Sequence, residues 1–166
     1  MNAIISGDES GALTQLELGA DVNACDEVGL TLMHHAAQAG MLRLINDLKR
    51  RGADINARGI VNESVLTYVI LSNARDQTPR NHLHEVIDFM VRNRADLDSR
   101  DSYQMTPVMH AARLGDAVTL DKLRQGRANL FLEDSNGYNA LCYAAIGGRP
   151  LTVNYLLQAG VDPRVV

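Results

Sequence analysis

The stretch Asp101-Ser-Tyr-Gln-Met-Thr-Pro-Val-Met-His-Ala-Ala-Arg-Leu-Gly115 decides the fold, because the chain contains it more than once. An offset of 33 residues downstream gives Asp134-Ser-Asn-Gly-Tyr-Asn-Ala-Leu-Cys-Tyr-Ala-Ala-Ile-Gly-Gly148. Upstream, Asp26-Glu-Val-Gly-Leu-Thr-Leu-Met-His-His-Ala-Ala-Gln-Ala-Gly40 aligns without a gap, and 33 residues beyond Thr31 lies Ser64, inside the divergent copy Asn62-Glu-Ser-Val-Leu-Thr-Tyr-Val-Ile70. Each copy closes on a tail: Gly19-Ala-Asp-Val-Asn-Ala24, Gly52-Ala-Asp-Ile-Asn-Ala57, Arg94-Ala-Asp-Leu-Asp-Ser99, Arg127-Ala-Asn-Leu-Phe-Leu132 and Gly160-Val-Asp-Pro163. Five tails against four heads mean that the described pattern opens on a partial copy.

Each unit reads as two short helices joined by turns. Thr31, Ser64 and Thr106 stand where a hydroxyl caps the first helix, and Pro107 suits its first turn. The Ala-Ala pairs at 36–37, 111–112 and 144–145 let neighbouring helices approach closely, and Gly40, Gly115 and Gly148 end that helix. The second helix shows one apolar stripe, as in Leu42, Leu44, Ile45 and Leu48, and again in Val153, Leu156 and Leu157. Gly52 and Gly160 permit a left-handed exit. No single unit can bury its own stripe, so the copies must stack.

These residues resemble the ankyrin-repeat family. Thr106-Pro107 followed by Met109-His110-Ala111-Ala112 is similar to its Thr-Pro-Leu-His-x-Ala-Ala signature, Gly52-Ala53-Asp54 to its tail, and a 33-residue period is that of ankyrin repeats. Leu32 and Val65 replace the motif proline, Met109 and Cys142 its histidine, and Arg94 and Arg127 the tail glycine. The resemblance implies an all-α solenoid of stacked helix-turn-helix units with short β-turn fingers. About four full repeats follow an N-terminal partial one, in a single domain spanning residues 1–166: 1–25, 26–58, 59–100, 101–133 and 134–166. The third repeat is irregular. Between Ile70 and Ile87 there are 17 positions where the equivalent span from Ala37 to Ile45 has eight, so nine residues are inserted near 73–82. Two readings of this polar, proline-containing insertion stand side by side: a loop that touches a partner, or an inert loop tolerated because long surface loops cost little.

Composition narrows the function. Hydrophobic residues make up 46% of the chain, yet it holds five tyrosines, two phenylalanines and no tryptophan, which suits thin helical layers. A net charge of −4 with scattered basic residues speaks against nucleic acid, whose phosphates need a clustered positive surface. The densest basic group, Arg43, Lys49, Arg50 and Arg51, reads as complementing a helix C-terminus. Cys25 and Cys142 fall several repeats apart, too far for a disulfide in a stack. The opening Met1-Asn-Ala-Ile-Ile-Ser6 lacks a basic segment followed by a long apolar one, and no run approaches membrane-spanning length. The expectation is a cytoplasmic protein, monomeric alone, with no membrane and no nucleic acid among its partners.

Catalytic and metal-binding patterns are weak. His34 and His35 point about a hundred degrees apart on a helix and cannot clasp one metal. His34 matches the family's structural histidine, which by resemblance bonds between neighbouring turns. His82 and His84 lack a third ligand. Asp21, Asp54 and Asp96 recur because the turn calls for them, as do Asp26, Asp101 and Asp134 at the next loop, and no nucleophile elbow or phosphate-cradling loop is present. The expectation is no catalytic residue, no cofactor and no metal. Stacking places His35, Tyr68, His110 and Tyr143 in one column along the first helices, readable as a recognition ladder or as packing between helices.

By family resemblance, a partner protein is bound through the turn tips and the exposed side of the first helices. The register then nominates Val28, Leu30 and Gln38 in the second repeat, Ile60, Val61 and Glu63 in the third, Tyr103, Met105, Arg113 and Leu114 in the fourth, and Asn136, Tyr138 and Ile146 in the fifth. Several of these are apolar or aromatic where loop tips are normally polar, which marks an interaction strip. A stoichiometric binder or inhibitor is the function expected. A recognition arm of a larger effector or enzyme, and an isolated core like those that inhibit transcription factors, are the alternatives.

Overall fold

The computed structural model describes residues 8–75 and 81–163, the side chains at 73–75 and 81 excepted. Its described helices are α1 (Glu9–Glu17), α2 (Leu32–Gln38), α3 (Leu42–Arg50), α4 (Val65–Arg75), α5 (Asn81–Arg92), α6 (Pro107–Leu114), α7 (Ala117–Gln125), α8 (Ala140–Ile146) and α9 (Pro150–Gln158). They form two layers. The inner layer runs α2, α4, α6, α8 and the outer one α1, α3, α5, α7, α9; each helix packs on the next of its own layer, and from α2 onward each is paired with its partner in the other.

The caps explain where each inner helix starts. Thr31 donates its hydroxyl hydrogen bond at 2.9 Å, and its amide at 3.2 Å, to Nδ1 of His34. In the next repeats the same N-terminal position uses different atoms. The Thr67 amide donates to Ser64 Oγ, the Met109 amide to Thr106 Oγ1, and the Cys142 amide to Asn139 Oδ1. A lost motif histidine therefore does not lose the cap, because in the third, fourth and fifth repeats a short polar side chain before the helix satisfies an orphan N–H itself. At the other end Gly115 closes α6 in the left-handed region, φ 76°. Arg94 and Arg127 adopt the left-handed φ (60° and 71°) that Gly52 and Gly160 adopt elsewhere, so the exit turn keeps its shape where the sequence does not keep its glycine.

The core lies between the layers. The outer helices contribute Leu44, Ile45, Leu48, Val86, Ile87, Met90, Leu120, Leu123 and Leu156, all fully buried, against the alanines 36, 111, 112 and 144 of the inner helices. Each large side chain so buried contributes about 2 kcal/mol, and the alanines set the close spacing of the inner layer.

The third repeat differs from its expected form. Residues 73–75 belong to α4, which has eleven residues where α2 and α8 have seven, and residues 81 and 82 begin α5. The insertion thus lengthens both helices rather than forming a loop throughout; its residues 76–80 lie outside the described residues. His82 reaches back over the preceding repeat, where a Cβ at Gly40 would collide with its side chain.

Candidate functional site

Between each tail and the next inner helix the chain forms a turn, or finger, pinned at its base by antiparallel bridges such as Cys25 with Thr31, Arg58 with Ser64 and Glu133 with Asn139. An aspartate organises the finger from within. Asp26 Oδ1 accepts from the amides of Val28 (3.0 Å) and Leu30 (2.9 Å), Asp101 Oδ1 from Tyr103 and Met105 (both 2.9 Å), and Asp134 Oδ1 from Asn136 (2.8 Å) and Tyr138 (2.9 Å). The second carboxylate oxygen ties the finger to the inner helix nine residues on: His35 at 2.8 Å, His110 at 2.8 Å, and the Tyr143 hydroxyl, which donates at 2.7 Å.

The electrostatics follow from this tie. Burial acts to raise the Asp26 pKa, but the amides of Leu30 and Val28 and the His35 ring outweigh it and hold the group below its ordinary value. Asp134 is lowered in the same way, against burial, by Tyr143 and the amides of Tyr138 and Asn136. Burial and the Asp134 carboxylate together push the Tyr143 phenol up to about 12. His110 is almost fully buried and its pKa is lowered by that burial, with Asp101 opposing. His34 is fully buried and pushed down to about 4, the Glu63 main-chain carbonyl of the next repeat opposing the loss of charge.

The third finger reaches the same shape with different residues. Gly59 stands where the aspartate is elsewhere, and the carboxylate of Glu63 folds back to replace it: Oε2 accepts from the Val61 amide at 3.0 Å, and a Cβ at Gly59 would collide with that carboxylate. With no turn aspartate in reach, Tyr68 donates instead to Gln38 of the preceding repeat at 3.2 Å, and its ring meets His34 edge-on. The column His35, Tyr68, His110, Tyr143 therefore serves the scaffold, each member engaged with a finger or a neighbouring helix. Its nine-residue spacing from Asp26, Asp101 and Asp134 is visible in the sequence and is the signal that the register alone left unread.

The nominated strip divides into two sets because the residue between them, Gly29, Asn62, Gln104 or Gly137, adopts a left-handed φ (74°, 58°, 60° and 79°) that turns the chain back toward the helices. Val28, Val61, Tyr103 and Asn136 share one position and are all exposed, Tyr103 by 68%. Leu30, Glu63 and Met105 share the position two residues on and are buried, at 7%, 7% and 6%. Their expected exposure is thus corrected: they face inward and hold the finger. Tyr138 occupies that inward position in the last repeat yet is 41% exposed, its ring edge-on to Tyr143. Ile60 (71%) and Ile146 (65%) stand out, Gln38 and Arg113 are exposed, and Leu114 is half-buried. Of the exposed members only Arg113 is charged. Among the described residues, the ion pairs Asp47 with Arg51, Asp88 with Lys122 and Asp121 with Arg124 lie instead on the outer helices or at their ends.

His82 is exposed on α5 against Gly40, His84 lies 3.8 Å from Asp116, and among the described residues no three His, Cys, Asp or Glu side chains are grouped to hold an ion. No described helix is long and apolar enough to cross a membrane.

A stack of helix pairs that projects a row of fingers held by internal hydrogen bonds is a scaffold for contact with other proteins. The chain belongs to the ankyrin-repeat family: a family model described as ankyrin repeats in three copies matches residues 76–166, and one for a single ankyrin repeat matches residues 28–60. It is similar to palmitoyltransferase AKR1 of Lachancea kluyveri, at 25% identity over 82% of this chain and 18% of that protein. It is also similar to the ankyrin repeat and SAM domain-containing protein 6 of Danio rerio, at 25% over 94% and 20%, and to neurogenic locus notch homolog protein 1 of Homo sapiens, at 30% over 84% and 5%. The chain spans 10% to 18% of the length of three yeast palmitoyltransferases that it matches. Ankyrin repeats are a binding fold, and this chain is a protein-interaction module of that fold.

Proposed function

We propose that the chain is a stoichiometric binder that grips a partner protein with its finger and inner-helix face and acts by covering the surface it holds. The observation that carries this reading is the exposure of Val28, Ile60, Val61, Tyr103 and Tyr138 on turns whose backbones are fixed by internal carboxylates. Apolar and aromatic groups held rigid in water give up little entropy on binding, and such groups dominate interface energies. With Arg113 and the fingertip Glu27 the exposed charges beside these side chains, affinity rests mainly on apolar burial and main-chain polar contacts.

The test is affinity capture from the native source, with mass spectrometry, comparing the chain with Ile60→Asp/Tyr103→Asp/Tyr138→Ser. These side chains are exposed, so helicity and melting should stay unchanged while the captured partner is lost; each anchor contributes about 2 kcal/mol. Equal capture by both proteins would refute the reading. Inhibition is then tested by titrating the captured protein's own activity, which should fall to its floor at one equivalent. A second reading, a recognition arm of a larger effector or enzyme, is favoured by the small share of each relative that the chain spans. On that reading the captured protein binds without losing activity.

A further inference from the structure

The outer helices α3, α5 and α7 end on cations, and α1 and α9 do not. Lys49 and Arg50 close α3, Arg92 closes α5, and Lys122 and Arg124 lie in the last turn of α7. The last turns of α1 and α9 carry no basic residue. Cations at a helix C-terminus complement its dipole, and most of these have further ties. Arg51, just past α3, bonds to Asp47 and to the Leu16 carbonyl. Arg92 donates to the Asp88 carbonyl, Lys122 to the Asp88 carboxylate, and Arg124 to Asp121 and the Tyr155 hydroxyl.

Arg94 and Arg127 differ. Each lies two residues past its helix, where the second and fifth repeats have Gly52 and Gly160. Both hold left-handed backbone, φ 60° and 71°, a conformation that crowds a Cβ and that glycine adopts freely. Asn62, in the same conformation, at least makes a bond with its side chain: Nδ2 donates to the Arg100 carbonyl at 3.0 Å. Both arginines are exposed, and among the described residues neither guanidinium has a hydrogen bond or an ion pair. Two adjacent repeats thus replace glycine with a strained residue whose side chain does nothing for the fold, and strain of that kind gathers where a ligand is held.

We propose that Arg94 and Arg127, with Arg92 and Arg124 two and three residues before them, bind an extended acidic segment of a partner protein. A guanidinium can hold a carboxylate through two parallel hydrogen bonds. Packed helices lie about 8 to 10 Å apart, so the same position in adjacent repeats is about three residues of extended chain apart. A segment with Asp or Glu at every third position therefore meets one arginine per repeat. The surrounding charge favours such a segment over a continuous anionic surface. Asp54 and Asp96 are exposed two residues past positions 52 and 94, and the whole chain carries a net charge of −4. A bilayer or a duplex would press phosphates against these aspartates, whereas single carboxylates can be set between them. The row follows the outer helices, so its ligand is independent of what the finger and inner-helix face holds.

Fluorescence anisotropy of a labelled peptide, Glu-Ser-Thr repeated four times, tests this in low salt, where exposed charges are least screened. Titrated with the whole chain, the peptide should bind saturably, and the same peptide with Gln for Glu should not. Arg94→Gly/Arg127→Gly should weaken binding about tenfold. It should also raise the melting temperature by about 2 to 4 °C per site, because glycine relieves the left-handed strain; a merely structural role for the arginines would lower it. Arg43→Gln/Arg113→Gln removes as much charge away from the row and should bind like the parent. The proposal is overturned by absent binding, by equal binding of the Gln peptide, or by a glycine pair that binds like the parent or melts lower. It is also overturned if the Arg43 and Arg113 pair loses binding as far as the glycine pair does, or if phosphatidylserine vesicles or duplex DNA bind more tightly than the peptide.

Discussion

Burial holds the His34 ring neutral, its pKa pushed down to about 4 against an ordinary value near 6.5 in an unfolded chain. Above about 6.5 neither state binds the proton; between the two values the unfolded chain takes it up and the folded chain does not. Stability therefore falls as pH drops from about 6.5 toward about 4, by about 3 kcal/mol at most from this residue. His110, lowered by burial against the pull of Asp101, acts in the same direction. Asp26 and Asp134 lie below the ordinary carboxylate value, so what they contribute is lost only as pH falls through their lowered values, beneath the histidine window. Urea midpoints measured from pH 7 to 4.5 should decline, and His34→Gln, whose amide can still face the Thr31 cap, should flatten the decline. An equal slope in the variant would assign the effect to other groups.

At the scale of the finger, the exchange of Asp for Gly at 59 and of an apolar residue for Glu at 63 is one change made in two places. Glu63→Leu alone strips the Val61 amide of its acceptor and should cost about 1 kcal/mol. Gly59→Asp alone forces a second carboxylate onto the first and should also destabilise. Together they rebuild the arrangement of Asp26 and Leu30 and offer Tyr68 the partner that Tyr143 has in Asp134, so the double variant should return close to the parent in a urea double-mutant cycle; additive losses would refute the exchange. This pair also shows what the sequence revealed and what it did not. The period, the caps at Thr31, Ser64 and Thr106 and the left-handed exits are readable because each is local chemistry repeated at a fixed step. Leu30 and Met105 resemble exposed tips on paper because an apolar residue in a turn carries no mark of which side it faces; only the left-handed residue before each, Gly29 and Gln104, turns them inward. The polar stretch at 73–82 reads as a loop for a similar reason, since polar residues on the solvent side of α4 and α5 extend a helix as readily as they form a turn.

Along the whole stack the repeats are not joined with equal strength. Arg58 donates through Nη1 to the Asn62 carbonyl of its own finger and to the Arg100 carbonyl of the next, both at 3.1 Å, and Arg100 does the same to Gln104 (3.2 Å) and Glu133 (2.7 Å). The tails add rungs, Asn56 Oδ1 accepting from the Asp96 amide and Asp98 Oδ1 from the Asn129 amide, each at 2.8 Å. In the second repeat the position of these arginines is held by Cys25, an exposed free thiol that cannot span two carbonyls. Because a solenoid's stability is a sum of repeat terms and nearest-neighbour terms, the finger that lacks its staple should open first. The amides of Val28 and Leu30 and those of Tyr103 and Met105 bond to the same kind of carboxylate at nearly equal distances, so their hydrogen-exchange rates compare the neighbours rather than the local bonds, and the first pair should exchange faster. Cys25→Arg supplies the missing guanidinium within reach of the second and third fingers. It should add about 1 kcal/mol and slow exchange at Leu30 by about fivefold, leaving Met105 unchanged. If Leu30 exchanges as before while the protein stays folded, the arginines at 58 and 100 are passengers on a coupling carried by the helices alone.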